Sequence, residues 1–207
     1  MSAHATSGAA VGGGHGATAL PEPGPRTATG VPTGRLGIWW FLASEIVIFG
    51  GLIVTYILFH MRHPEWGQEA QHTITAAGAL NTFVLLTSSL TMVLAHAAIG
   101  RGKRHHADLY LSATRILGGV FLIVKAFEYG REITEGYTPV SGLFWSFYFA
   151  MTGLHALHVL GGIVAMSIIG AWVRVGKNVH RVEYVGMYWH FVDIVWIFLF
   201  PLLYLTS

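Results

Sequence analysis

Glu45 in "FLASEIVIFGG", His155 and His158 in "GLHALHVLGG", and His190 with Asp193 in "MYWHFVDIVW" are acids and bases set inside long apolar stretches. Carboxylates and imidazoles are the side chains that hold and pass protons, and they also ligate metals. Placing one in lipid costs at least ~2.5–3.5 kcal/mol, so such residues turn toward a protein interior and commonly carry function.

Each group has competing chemistries. Glu45 has no basic residue within a turn on its own helix, so desolvation is expected to leave it partly or wholly protonated. That suits proton handling, although a buried neutral acid can also simply donate a hydrogen bond. His155 and His158 read either as ligands to one metal or haem, or as hydrogen-bonding groups between helices. Neighbouring histidines on one helix cannot supply both axial ligands of a haem. No carboxylate or third histidine stands at ligand spacing either, so hydrogen bonding is favoured and no metal site is expected. His190 and Asp193 share a helix face, with Trp189 and Trp196 on a neighbouring one. They read as an interhelical network flanked by aromatic packing, or as a proton-loading group or a site for a buried lipid headgroup. Lys125 and Glu128, three apart, read as a local ion pair near the interface. Arg115 and Arg174 can extend toward lipid phosphates.

The elements that carry these residues follow from composition. The 207 residues are 53% hydrophobic and 11% charged, far from the ~25% charge of a soluble domain. Five stretches reach the ~20 apolar residues a spanning helix needs: about 36–60, 77–99, 109–130, 142–173 and 184–206. Strands of a membrane barrel would alternate over ~10 residues, and these runs are unbroken. The expected fold is therefore all-α, an integral membrane bundle of five transmembrane helices. Cysteine is absent, which removes disulfides, thiolate metal sites and covalent haem attachment. A formal charge of +2 is too small to suggest nucleic acid.

Residues 1–34 are rich in Gly, Ala, Thr and Pro and are expected to be a disordered cytoplasmic tail, leaving residues 35–207 as the transmembrane domain. Arg26, Arg35, Arg101, Lys103, Arg104, Arg174, Lys177 and Arg181 fall on the side of the tail, against Arg62 and Arg131 on the other. Basic loops stay in the cytoplasm, so the N-terminus is expected inside and the C-terminus outside. At ~1.5 Å per residue, Glu45 and Asp193 lie ~13 Å from the cytoplasmic ends of their spans, and His155 and His158 fall in the middle to inner half of theirs. These four are expected to be able to meet in one layer. Gly50, Gly51, Gly161 and Gly162 are expected to permit close helix packing or a lipid-accommodating groove.

The strings "SEIVIFGG", "LNTFVLLTSSLTMVLAHAAIGRG", "FEYGREI", "FYFAMTGLHALHVLGG" and "VEYVGMYWHFVDIVW" occur in this order. Together they resemble subunit III of the haem–copper cytochrome c oxidases, over all five spans. The resemblance implies a non-catalytic subunit of a proton-pumping terminal oxidase of aerobic respiration, in a bacterial cytoplasmic membrane. It implies no cofactor in this chain, with haems and copper in partner subunits, and bound phospholipid as a ligand. The implied partners are subunit I, stabilised and helped in proton uptake, subunit II through the complex, and cytochrome c or quinol as donor. Carried over by motif, Glu45 is the buried glutamate and candidate proton-handling group. His96, Glu128, His155, His158, Glu183, His190 and Asp193 form an interior polar network, and Arg115, Arg174 and Trp189 are candidates for lipid headgroups. The long form of the family has two helices before the first span; this chain is expected to lack them, so that its lipid cleft is not expected to form from this chain alone. Glutamate at position 45 favours the cytochrome c class over a quinol oxidase. An accessory membrane protein of a nitric oxide reductase, with a similar closing helix, is a further alternative. A free-standing ion transporter would show internal symmetry or broken helices, and neither is visible.

Overall fold

The computed structural model of the chain describes residue 30 and residues 33–205. All regular structure among them is helical: α1 (Thr33–His60), α2 (Trp66–Ala70), α3 (Thr75–Gly100), α4 (Arg104–Thr134), α5 (Leu143–Arg174) and α6 (Arg181–Tyr204). Five of these are long and apolar enough to cross a membrane. Most of the expected tail lies outside the described residues, but Thr33 and Gly34 already belong to α1.

Two helix limits differ from expectation for one reason. Apolar content marks only the part of a helix that lies in hydrocarbon, whereas backbone hydrogen bonding continues past it. α4 therefore runs on at both ends through charged residues, from Arg104 to Thr134, and takes Glu132 with it. α2 was not expected. After α1 ends at His60, Pro64 disfavours helical geometry at the residue before it, and one short turn follows in "WGQEA". His63 Nδ1 lies 2.7 Å from Glu65 Oε1. Backbone hydrogen bonding, and then His63, hold the Glu65 carboxyl below the usual carboxylate range. At the other end, Gly102 and Gly176 take φ of +70° and +71° in the α3–α4 and α5–α6 turns, values that cost glycine little because it has no Cβ.

α3, α4, α5 and α6 form a four-helix body, each packed against two neighbours, and α1 leans on α5 and α6 through a slimmer contact. Trp145, Trp189, Trp196, Tyr148, Phe121 and Phe144 are wholly enclosed. A small residue makes room for the central one. A Cβ on Gly162 would stand 2.7 Å from the Trp189 ring and one on Gly118 2.8 Å from it, so this indole is seated between α4 and α5. Gly161 and Gly162 thus meet the expectation of close packing, since Gly161 faces Tyr188. Gly50 and Gly51 do not, because a Cβ there would meet nothing within 4 Å.

Candidate functional site

The ionisable residues of the spans separate into three groups at different places in the bundle. The first joins α1 to α5. Glu45, 7% exposed, places Oε2 3.0 Å from His158 Nε2. The expected unpaired carboxylate is therefore paired, with a base from a helix 113 positions away. His158 Nδ1 lies 2.8 Å from the carbonyl of Leu154. A carbonyl only accepts, so Nδ1 carries a hydrogen and donates it. The contact at Nε2 then holds one proton, either on the carboxyl, which donates, or on an imidazolium facing a carboxylate. Both forms leave the pair neutral overall, the inexpensive condition in a medium of low dielectric. Tyr188 donates to the His158 carbonyl at 2.9 Å, and Phe49 meets the imidazole edge-on at 5.1 Å.

The second group ties α6 to α3. His190 Nδ1 is 2.7 Å from Ser89 Oγ. Trp189 Nε1 donates to Ser88 Oγ at 3.0 Å, and Trp196 Nε1 to Thr82 Oγ1 at 3.0 Å. Asp193 is buried with Ser89 beside it, yet neither carboxyl oxygen has a hydrogen-bond partner. Trp189 is 0% exposed, which corrects its assignment to a lipid headgroup: its one polar atom is turned to α3. His96 is also corrected. It is exposed rather than interior, and with His190, Glu183 and Met187 it lines a hollow of about 190 Å³ between α3 and α6. Glu183 is half-buried there and ion-paired with Arg35 at the start of α1.

The third group lies at the opposite end of the bundle. Lys125 Nζ is 3.1 Å from Glu128 Oε2 and donates to the hydroxyls of Tyr148, at 3.0 Å, and Tyr204, at 2.7 Å. Tyr148 in turn donates to Glu128 Oε1 at 2.9 Å. The expected ion pair is present and is enclosed by the protein, with Lys125 2% and Glu128 1% exposed. Its solvent is a ring of tyrosines from α5 and α6.

Other placements are mixed. Glu45 and His158 meet in one layer, but His155 and Asp193 do not join them by any hydrogen bond. His155 is wholly buried and has no hydrogen-bond partner; it lies edge-on to Phe121 and 5.1 Å from the Trp196 ring. Expected to hydrogen-bond across helices, it packs as an aromatic ring instead. Arg115 donates to Ser112 at 2.6 Å, and Arg174 to Asp108 at 2.9 Å while remaining exposed. Thr82, Ser88, Ser89, Tyr148, Tyr204 and Glu132 all take part in or adjoin these groups without having been singled out in the sequence. The run "TSS" in an apolar span was the available signal for the serines, because hydroxyls in lipid seek partners on neighbouring helices.

Fold and site define a class: an integral membrane helical bundle whose acids and bases are turned on one another inside the protein. Residues 24–207 match the family described as cytochrome c oxidase subunit III. A cytochrome c oxidase subunit 3 of Thermostichus vulcanus is 35% identical over 177 residues, covering 83% of this chain and 87% of that protein. A cytochrome bo(3) ubiquinol oxidase subunit 3 of Pseudomonas aeruginosa is 33% identical, over 83% and 84%. A cytochrome c oxidase subunit 3 of Corynebacterium diphtheriae is 32% identical, over 79% and 83%. The chain belongs to the cytochrome c oxidase subunit III family. It is a multi-pass protein of a bacterial cytoplasmic membrane and a subunit of a haem–copper oxidase complex.

Proposed function

We propose that this subunit performs no redox chemistry itself, and that it stabilises subunit I and keeps proton uptake fast during turnover. Haems and copper belong to subunits I and II in this reading, and cytochrome c is the donor to the complex. The observation that carries the proton-handling part is the Glu45–His158 contact at 3.0 Å. Because Nδ1 is committed to the Leu154 carbonyl, the proton at Nε2 can move between base and acid without leaving a net charge in the membrane. Transfer within a pair of this kind costs little electrostatically, because neither form leaves a net charge. The basic loops beside the α3, α4 and α5 ends turn that region toward the cytoplasm, the side from which an oxidase draws protons.

Phospholipid is the second expected ligand. An apolar groove of about 350 Å³ runs between α1, α5 and α6, lined by Ile38, Phe41, Ala165, Ile169 and Tyr188. It fits an acyl chain, and it needs no helix beyond those of this chain. Arg115 and Arg174 stand on α4 and α5 toward the basic end, where a phosphate would lie.

The test is Glu45→Gln in the purified oxidase. The glutamine amide still donates to His158 Nε2 but has no acid proton to exchange. The complex should assemble with an unchanged reduced-minus-oxidised haem spectrum and oxygen consumption from reduced cytochrome c, and then lose activity sooner over repeated turnovers. An unaltered turnover lifetime in an intact variant complex would reduce Glu45 to a packing role. Oxidation of quinol in place of cytochrome c would reassign the donor.

A further inference from the structure

Among the described residues, Glu132 is one of two buried acids that hold no hydrogen bond through the carboxyl, the other being Asp193. Glu132 is 1% exposed, and it was carried into the bundle by the extension of α4. The titratable groups facing it are Lys125, Glu128 and Glu135 from α4 and Tyr148 from α5, and Tyr204 of α6 closes the cluster through Lys125. Lys125 is already engaged by Glu128 at 3.1 Å. With both buried acids ionised, one ammonium would face two carboxylates, leaving one uncompensated negative charge among aromatic rings. An uncompensated buried charge costs several kcal/mol and is normally removed by neutralisation. The cluster is thus one positive charge short.

A polar hollow lies next to the cluster. The backbone N–H of Tyr137 donates to the Glu132 carbonyl at 2.9 Å. Tyr137 also lines a polar hollow of about 410 Å³ with Glu65, Glu69, His72, Glu135 and Trp145. Trp145 packs against Tyr148 at 5.5 Å, forming the floor between hollow and cluster. The hollow lies at the end of the bundle away from the basic loops, so it opens to the outer aqueous phase.

We propose that Glu132 and Glu128 together hold one exchangeable proton at the outer end of this subunit, and that the proton passes between the Glu132 carboxyl and water in the hollow above it. On release, the O–H bond of Glu132 breaks and the proton goes to water. On uptake the reverse occurs. This is a proton-binding site on the side of the membrane opposite the Glu45–His158 pair, and it shares no residue with it.

Infrared spectra of the intact oxidase, in water and in deuterium oxide, test the site. At neutral pH a protonated-carboxyl C=O band should appear in the difference between the parent complex and the Glu132→Gln complex, shift in deuterium oxide, and be unchanged by Glu135→Gln. Glu128→Gln should abolish the same band, because Glu132 then ionises to pair with Lys125. Absence of the band from the difference spectrum, its survival in Glu128→Gln, or its resistance to deuterium exchange would overturn the proposal. Failure of Glu132→Gln to assemble would do so as well, since glutamine copies a protonated carboxyl in shape and charge. Replacing sodium and potassium by choline should leave the band alone; a band seen only without those ions would mean that a metal cation, not a proton, fills the site.

Discussion

Replacing Lys125 by methionine isolates the energetics of the outer cluster. Methionine matches the stem of lysine in length and removes only the ammonium, which satisfies Glu128 and two tyrosine hydroxyls. Glu128 cannot stay ionised at 1% exposure without its counter-charge, so folding of the variant must take up one more proton than folding of the parent. At neutral pH, moving a proton onto a glutamate with an ordinary value of ~4.3 costs ~2.7 units at ~1.36 kcal/mol each, about 3.7 kcal/mol. That lies within the ~3–5 kcal/mol for breaking a buried pair. Linkage fixes the sign: a native state that binds an extra proton loses stability as pH rises, by ~1.4 kcal/mol per pH unit more than the parent. At about pH 5 the penalty should shrink to ~1 kcal/mol. Denaturant unfolding in mixed micelles, followed by tryptophan fluorescence over a pH series, measures both quantities. A loss below ~1 kcal/mol at neutral pH, or one that does not change with pH, would show that the cluster is hydrated and that the ammonium was never its only counter-charge.

Other expectations are simpler. His158→Ala strips the mid-membrane tie of α1 and should cost ~1–2 kcal/mol, read as easier loss of α1 contacts by protease or thiol-labelling accessibility at engineered sites. Gly162→Ala places a methyl 2.7 Å from the Trp189 ring and should cost ~1–3 kcal/mol by overpacking; adding Trp189→Phe should recover part of the loss in a thermal melt. Arg35→Ala removes an ion pair whose side chains are 47% and 33% exposed, so no more than ~0.5 kcal/mol is expected, and that should vanish in high salt.

Which parts of this structure were legible in the sequence depends on what lipid enforces. Length and apolar content mark each span because every backbone group must be satisfied within its own helix. Facing is another matter. A span that is apolar all round carries no amphipathic stripe to orient it, so His96 read as interior and stands exposed, and Glu45 read as unpaired because its base lies on another helix. Trp189 misled for a different reason. The resemblance implied a lipid headgroup beside it, but here two glycines on separate helices, Gly118 and Gly162, open a seat for it in the core. Serines 88 and 89 and Thr82 became partners only once α3 and α6 were in contact. Glu132 was missed because it lies just past the apolar stretch, on a part of α4 that hydropathy does not mark.

The slim attachment of α1 also governs the order in which this chain must be made. Three polar ties of α1 among the described residues, Arg35 to Glu183, Glu45 to His158 and Tyr56 to the Leu202 carbonyl, reach forward to α5 or α6. The base for Glu45 is synthesised 113 residues later, on the order of ten seconds at ~5–20 residues per second. Through that interval α1 resides in the bilayer with a carboxyl and no partner, so the nascent helix must carry that group neutral. α3 to α6 pack on one another without α1, whereas the contacts of α1 with α5 and α6 wait for the last two spans. A ribosome stalled before position 158 therefore leaves α1 in the bilayer with this acid still waiting for His158.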